Sequence, residues 1–422
     1  MIRQRSKRSV KQRSSNITRR ALLKAAAPTG LVAAIGMPIP FLKNLQSGIV
    51  PIALAQETDV SEYGKDGLFL LNDRPINMET PAHLLDDKIT PANRFFVRNN
   101  GLPPFEEDIQ VDDWTLVIDG EVENELRLSI AELKSEFETV SLQLQLECGG
   151  NGRKFYTPGA SGNQWSFGAI GCAEWTGVRL KDVLERARPT RNAIYTAHFA
   201  ADMHLTGDPQ KQPLSRGVPL EKALDPNNLI AWAMNGNDIP LLNGHPLRLV
   251  VPGWPGSCSQ KWLTQITLRD RVHDGAKMTG KSYRVPAYNV APGTNVPDED
   301  MVIIESMPVK SLITSPETGT QSKAGRAFTV RGHAWAGDLE VAKVELSMDF
   351  GATWTPATLD KPANPFAWQH FSADLVLPQV GYYEVWARAT DVNGTAQPPV
   401  PPNWNPKGYL NNMQHRIAVF GV

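Results

Sequence analysis

Among the residues of this chain, Cys148 has the neighbours best suited to chemistry. It stands in Leu144-Gln145-Leu146-Glu147-Cys148-Gly149-Gly150-Asn151-Gly152-Arg153. The alternation of apolar and polar residues from Val140 to Leu146 predicts a half-buried strand. That strand stops at the thiol, and Gly-Gly-Asn-Gly predicts a loop in which backbone approaches closely and φ turns positive. A thiol at a strand end, followed by a fixed cation, offers a place for a soft metal or an anion. The competing reading is a small buried core residue, the commoner fate of a lone cysteine. These ten residues leave both readings open. Arg98 poses the same choice: in Arg94-Phe95-Phe96-Val97-Arg98-Asn99-Asn100 it follows a short apolar strand and precedes a turn, as an exposed charge or as an anion ligand.

Length and charge set the frame for these residues. A chain of 422 residues suffices for two or three domains of about 150 residues each. With 41% hydrophobic and 21% charged residues it can bury a large core, which excludes wholesale disorder. Eleven tryptophans and 33 prolines point to a fold rich in strands and loops. The net charge of −1 conceals an uneven distribution. Residues 1–55 hold ten Lys/Arg and no Asp/Glu, which leaves 33 basic against 44 acidic residues, a remainder of −11. Such an acidic remainder argues against nucleic acid and favours basic partners.

The first 55 residues read as a leader. Thr18-Arg19-Arg20-Ala21-Leu22-Leu23-Lys24, an apolar run to Phe41 and Ala53-Leu54-Ala55 supply a basic start, an apolar middle and an Ala-x-Ala cleavage site. Paired arginines mark the twin-arginine type, so export to the periplasm is expected. Pro28, Gly30, Gly36, Pro38 and Pro40 interrupt the run well short of the roughly 20 apolar residues of a membrane span, and no stable membrane insertion is expected. The cysteines are Cys148, Cys172 and Cys258, without Cys-x-x-Cys, which excludes zinc ribbons and covalent c-type haem. A Cys172–Cys258 disulfide is open but has no support in the sequence.

Residues 56–300 predict a mixed α+β domain with hairpin-paired strands and few helices. Ser129 to Phe137 has helical spacing, with Ser129 and Glu132 forming a capping box. Gly177 to Leu184 predicts an amphipathic helix, and Leu229–Met234 running into Asn235-Gly236 predicts a hairpin. Tyr288 to Asp300, rich in Pro, Gly, Asn and Asp, predicts a linker. Residues 301–422 show short strands at regular spacing (Ala327–Trp335, Val341–Met348, Ala367–Val376, Gly381–Ala389), the pattern of an all-β sandwich of immunoglobulin-like type. Trp335, Trp354, Trp368 and Trp386 are assigned to its core.

Six blocks in one colinear order resemble the sulfite oxidase family of molybdenum enzymes: Phe-Phe-Val-Arg-Asn at 95–99, Cys-Gly-Gly-Asn-Gly-Arg at 148–153, Met234-Asn235-Gly236, Pro-Leu-Arg-Leu-Val-Val-Pro-Gly at 246–253, Lys-Trp-Leu at 261–263 and Asn-Trp-Asn-Pro-Lys-Gly at 403–408. The resemblance runs from about Asp73 to Val422 and is nearest to the bacterial periplasmic sulfite dehydrogenases. It implies a mixed α/β molybdopterin-binding domain followed by a dimerisation sandwich, hence a homodimer carrying molybdenum-molybdopterin. It implies oxidation of sulfite to sulfate by oxygen-atom transfer. By resemblance, Cys148 is the thiolate ligand of molybdenum, which suits a soft metal. Arg98, Arg153 and Lys407 match the positions that hold the oxyanion, Tyr283 the active-site tyrosine and Trp165 the pocket tryptophan. Asn99, Asn100, Asp202, Asn243, Arg248 and Lys261 match cofactor-contacting positions, joined there by Arg98 and Cys148.

Four positions depart from the animal members of the family. Asn100 and Asn243 stand where histidines are expected, with His245 a candidate substitute for the latter. Lys407 replaces an arginine, keeping the charge and losing the planar fork. Gly152 also replaces an arginine. No haem domain of the animal type is recognised, so a separate c-type cytochrome is the expected electron acceptor. Three other readings stay open: a sulfane-sulfur dehydrogenase subunit of a thiosulfate-oxidising system, a methionine-sulfoxide reductase (whose known relatives lack the C-terminal sandwich), and a non-catalytic periplasmic β-sandwich binding protein.

Overall fold

The computed structural model describes residues 59–422; the expected leader lies outside them. Beside a three-stranded sheet (Phe69–Asp73, Ile76–Glu79, Val97–Arg98), two larger sheets form the N-terminal part. The first runs Asn237–Asp238, Leu229–Met234, Ile170–Arg179, Thr139–Glu147, with Arg248–Val250 also paired to Leu229–Met234. Its hairpin at Asn235-Gly236 forms as expected, both residues taking positive φ (54° and 76°), the geometry that matches strand twist. The second runs Leu126–Ser129, Thr115–Gly120, Leu263–Arg269, Tyr195–Ala200. Here hairpin pairing fails as a guide, because Leu263–Arg269 lies parallel to Thr115–Gly120. A parallel pair needs a long crossover, which the whole intervening first sheet supplies.

One apolar cluster joins the two sheets, with Leu116, Ile118, Leu249 and Ile266 packed on Val183 and Leu184. The helix Ile130–Glu136 carries the expected capping box: Glu132 N–H donates to Ser129 Oγ at 3.1 Å, and Ser129 N–H donates to Glu132 Oε2 at 2.8 Å. The second helix begins at Leu180, later than the expected Gly177, and ends at Ala187. Gly177 instead continues the strand Ile170–Arg179, its Cα face pressed against the Ile230 carbonyl where a Cβ would collide. Amphipathic spacing is blind to such a cross-strand approach.

The C-terminal strands fold as two sheets, Lys310–Ser315, Ala327–Trp335, Gln369–Val376, Thr358–Leu359 and Thr320–Ser322, His415–Gly421, Gly381–Asp391, Val341–Ser347, Thr355–Pro356. Val330, Phe371, Val344, Val385 and Val419 from both sheets share one core. None of the four tryptophans expected there contributes to it. Trp335 and Trp368 are buried with Leu85, Ile170 and Cys172 of the N-terminal part, and Trp354 and Trp386 are half-buried beneath the guanidinium groups of Arg388 and Arg416. Indole rings large enough to fill a sandwich are here spent on its outer faces. The stretch 288–300 leaves and returns to one place, since Arg284–Pro286 pairs with Met301–Ile303. All three cysteines are buried and free, so the Cys172–Cys258 disulfide does not form. Among the described residues no helix is long and apolar enough to cross a membrane.

Candidate active site

The strand Thr139–Glu147 alternates at its start and becomes fully buried over its last four residues as it passes beneath the C-terminal sheets. Cys148 ends it, with its N–H donated to the Ala169 carbonyl at 2.9 Å. The following turn closes tightly: Asn151 N–H bonds the Cys148 carbonyl at 2.8 Å and Arg153 N–H the Gly150 carbonyl at 3.0 Å. Residues far along the chain hold it from outside. Leu410 N–H donates to the Gly149 carbonyl at 3.0 Å, and Asn411 Nδ2 to the Gly152 carbonyl at 2.7 Å. Gly152 has φ +89°, and a Cβ there would stand 2.8 Å from Asn411 Nδ2. Asn411 therefore stands where the side chain of the arginine expected at 152 would begin, and the backbone there favours glycine.

Cys148 faces a cleft whose wall also includes Arg98, Asn100, Asp202, Asn243, Arg248, Lys261 and Tyr283. Eight of the twelve residues expected at the site therefore meet in one cavity. Arg98 donates to Asn100 Oδ1 at 2.9 Å and to the Asn99 carbonyl. Arg248 donates to the carbonyls of Asn243 at 2.6 Å and Ser259 at 3.2 Å, its guanidinium lying 4.7 Å from the Trp175 ring centre. Lys261 donates to the Leu242 carbonyl at 2.7 Å and to Asn99 Oδ1. Tyr283, at φ +52°, stacks on Tyr409 with ring centres 5.5 Å apart, and its hydroxyl donates to Asn100 Oδ1 at 3.3 Å.

Four expected residues lie outside the wall. Asn99 stands behind it, holding Lys261. Trp165 is fully buried in the core cluster that contains Phe95, Leu146 and Cys148. Arg153 is turned beneath Tyr409, its charge 5.2 Å from that ring, donating to the carbonyls of Lys407 at 2.6 Å and Asn163 at 2.7 Å. The Lys407 ammonium donates to Ser161 Oγ at 3.0 Å. His245 does not reach the wall, and Asn243 itself takes the position.

Two lysines escaped the sequence reading. Lys65, in a polar loop without periodicity, is buried and donates to Asn243 Oδ1 at 2.7 Å and to the carbonyls of Ala92 at 2.7 Å and Phe95 at 3.0 Å. Lys277 donates to Asn100 Oδ1 at 2.8 Å. Neither has a local pattern that would single it out. Ser257, Ser259 and Gln260 of the wall were more accessible to inference, since they directly precede Lys261 in a Gly/Ser/Pro loop.

The electrostatics are one-sided. Among the described residues none of Lys65, Arg98, Arg248, Lys261 and Lys277 forms an ion pair. Burial lowers Lys65 to about 7 and Arg248 to about 9. Burial, then the charge of Arg98, lowers Lys277 to about 8. Lys261 is pushed well below its usual value, by burial first and by Arg248 second. The carboxylate of Asp202, raised to about 6 by burial against the pull of Lys261, does not balance them. Buried unpaired cations are costly unless an anion joins them. The cleft is thus built to receive one.

Chain-wide comparison agrees. Residues 102–277 match the model of the oxidoreductase molybdopterin binding domain, and residues 301–421 that of the Mo-co oxidoreductase dimerisation domain. Sulfite oxidase of Gallus gallus is 32% identical over 370 residues, covering 83% of this chain and 77% of that protein. The chain belongs to the sulfite oxidase family. The mitochondrial sulfite oxidase of Homo sapiens is also 32% identical, over 361 residues and 82% of this chain. The chain spans 62% of the length of the Drosophila melanogaster family member and 64% of the human one. The crystal structure of the sulfane dehydrogenase SoxCD from Paracoccus pantotrophus superposes with TM-score 0.68 at 25% identity, covering 95% of this chain and 94% of that one.

Molybdenum-molybdopterin is the cofactor of this family, and the residues present fit it. The unpaired cations suit its phosphate. Buried polar atoms without partners gather at the same cleft and include donors (Arg248 Nε, Ser257 Oγ) as well as acceptors (Asp202 Oδ1, Gln260 Oε1). A pterin ring presents both kinds of edge. Cys148 offers the soft thiolate that molybdenum takes.

Proposed function

We propose that this protein is a periplasmic, homodimeric sulfite dehydrogenase, exported by the twin-arginine route. It converts sulfite and water to sulfate with release of two protons and two electrons, the electrons passing singly to a c-type cytochrome. The observation that carries the reading is a buried thiol at the wall of a cleft whose cations have no carboxylate partners. When bound, the molybdenum cofactor supplies the two-electron redox chemistry.

The chain's own groups bind, orient and neutralise. Arg248 and Lys261 supply charge for the cofactor phosphate, and Asn243, held by Lys65, shapes that end of the wall. Arg98 and Lys277 converge on Asn100 Oδ1 and set positive charge there, where an oxyanion is attracted. The Tyr283 hydroxyl completes that group with a movable proton. Arg153 and Lys407 lie one layer back, linked through the Lys407 carbonyl, and add to the positive field at the Cys148 turn.

Sulfite-dependent reduction of added cytochrome c by the purified holoprotein tests the reading; no reduction with a full complement of molybdenum would refute it. A second reading, sulfane-sulfur dehydrogenase, draws support from the likeness to SoxCD along 95% of the chain. Turnover of a carrier-bound thiosulfate intermediate, with free sulfite inert, would favour it. A non-catalytic binding role would require protein without molybdenum from a pterin-competent host.

A further inference from the structure

Glu147, the residue directly before Cys148, is completely buried, and both of its carboxylate oxygens are engaged. Oε1 accepts from Lys310 Nζ at 2.5 Å and from Asn151 Nδ2 at 3.0 Å. Oε2 accepts from Trp335 Nε1 at 2.9 Å. Lys310 and Trp335 belong to the C-terminal sandwich, where they face each other as one rung of the antiparallel pair Lys310–Ser315 and Ala327–Trp335. Asn151 lies on the other side of Cys148, with its side chain fixed at both ends: Nδ2 also donates to the Phe167 carbonyl at 3.2 Å, and Oδ1 accepts from Ala169 N–H at 3.1 Å. A single carboxylate therefore ties the chain before the thiol, the chain after it and one rung of the sandwich together.

Burying an ion pair seldom stabilises a fold more than apolar side chains of similar volume would, and in some proteins such a pair instead specifies geometry. The geometry here is that of the peptide carrying the thiol. We propose that Glu147 and Lys310 are positioning residues for Cys148: the pair sets where the sulfur stands in the cleft, so that seating of the sandwich governs the sulfur–metal bond. Neither residue touches the cleft. Their influence passes through the backbone of 147–151. The proposal rests on the reading of Cys148 as the metal's ligand and does not depend on which sulfur compound is turned over.

The test uses purified holoenzyme, with molybdenum content measured and rates expressed per molybdenum. Two readouts are followed, the visible thiolate-to-metal charge-transfer band and the separate kcat and KM. Lys310→Met should move the band and lower kcat by about 10- to 100-fold, the range for outer partners of metal ligands, with KM for the substrate anion little changed. Lys310→Arg, which keeps a charged donor for Glu147 while the carboxylate still accepts from Asn151 and Trp335, should restore most of both. Lys310→Met with an unmoved band and unchanged kcat, whatever its melting temperature, overturns the proposal; so does a Lys310→Arg variant whose band is displaced as far as that of Lys310→Met. Should Lys310→Met not accumulate, Glu147→Gln alone, which keeps an acceptor for Lys310, must shift the band, and an unmoved band overturns the proposal. Absence of the band from molybdenum-loaded wild type would remove the Cys148 assignment itself and this proposal with it.

Discussion

The ammonium of Lys65 and the side-chain oxygen of Asn243 lie 2.7 Å apart, 178 positions from one another along the chain. Two backbone carbonyls complete the lysine's set of acceptors, so all three protons of the charged form are used. Lys65→Met leaves three acceptors without this donor. It should cost about 1–3 kcal/mol of stability for each acceptor left unsatisfied, read by urea unfolding, and should increase loss of the pterin on prolonged dialysis.

Cys148→Ser replaces a soft ligand by a hard one of nearly the same volume. Turnover should disappear while the melting temperature of the cofactor-free protein moves by no more than a degree or two. Sulfite oxidation by a molybdenum-loaded serine variant would contradict the ligand assignment.

Gly152→Arg restores the residue that resemblance leads one to expect there, yet φ +89° and Asn411 at 2.8 Å oppose it. A non-glycine residue in such a backbone conformation costs of order 1–3 kcal/mol. The variant should unfold at lower denaturant than wild type. Gly152→Arg with Asn411→Gly should recover only the part due to crowding, which a double-mutant comparison of unfolding free energies resolves.

The cation cluster makes the stability of the cofactor-free protein depend on pH in a definite direction. Lys65 at about 7 and Lys277 at about 8 fall below the ordinary lysine value of 10.5. Between those values the unfolded chain binds more protons than the folded one, so stability rises with pH. The rise begins near pH 7 and should be visible up to about pH 8, where cysteines of the unfolded chain begin to ionise and oppose it. A bound anion lifts the lysines back toward their usual values. Melting temperatures measured across this window should climb in the cofactor-free protein and stay flat in the holoprotein.

On the acid side the buried histidines act. Burial lowers His198, His333 and His415 each to about 3 and His273 to about 4. Below pH 6.5 the unfolded chain takes up protons that the folded one refuses, so their contribution to stability is present above 6.5 and is lost progressively down to about pH 3. Unfolding midpoints in urea should fall steadily from pH 6.5 to 4, and His415→Gln should flatten part of that slope.

Local pattern revealed what local forces decide. The Ser129 cap, the Asn235-Gly236 turn and the strand that ends at Cys148 are each settled by a few neighbouring residues. The tryptophans were misplaced because ring size says that a residue is buried, not against which partner; Trp335 and Trp368 pack on the N-terminal part. The cysteine turn and its cations were legible through the resemblance, block by block. Lys65 and Lys277 were not, because a lone lysine in a polar loop has the same signature whether it is solvated or bonded to a residue of the cleft wall from far along the chain. Arg153 shows the limit from the other side. Its position beside the thiol is local, but the direction of its side chain is set by Lys407 and Tyr409, more than half the chain away.

The hydrogen bonds from Leu410 and Asn411 to the Cys148 turn also constrain biosynthesis. A ribosome delivers residue 148 long before it delivers residues 410 and 411, so during most of elongation the thiol turn exists without the groups that close it. The turn that presents the thiol is therefore closed only after residues 410 and 411 have been made, and the part that carries Cys148 cannot finish its own pocket alone.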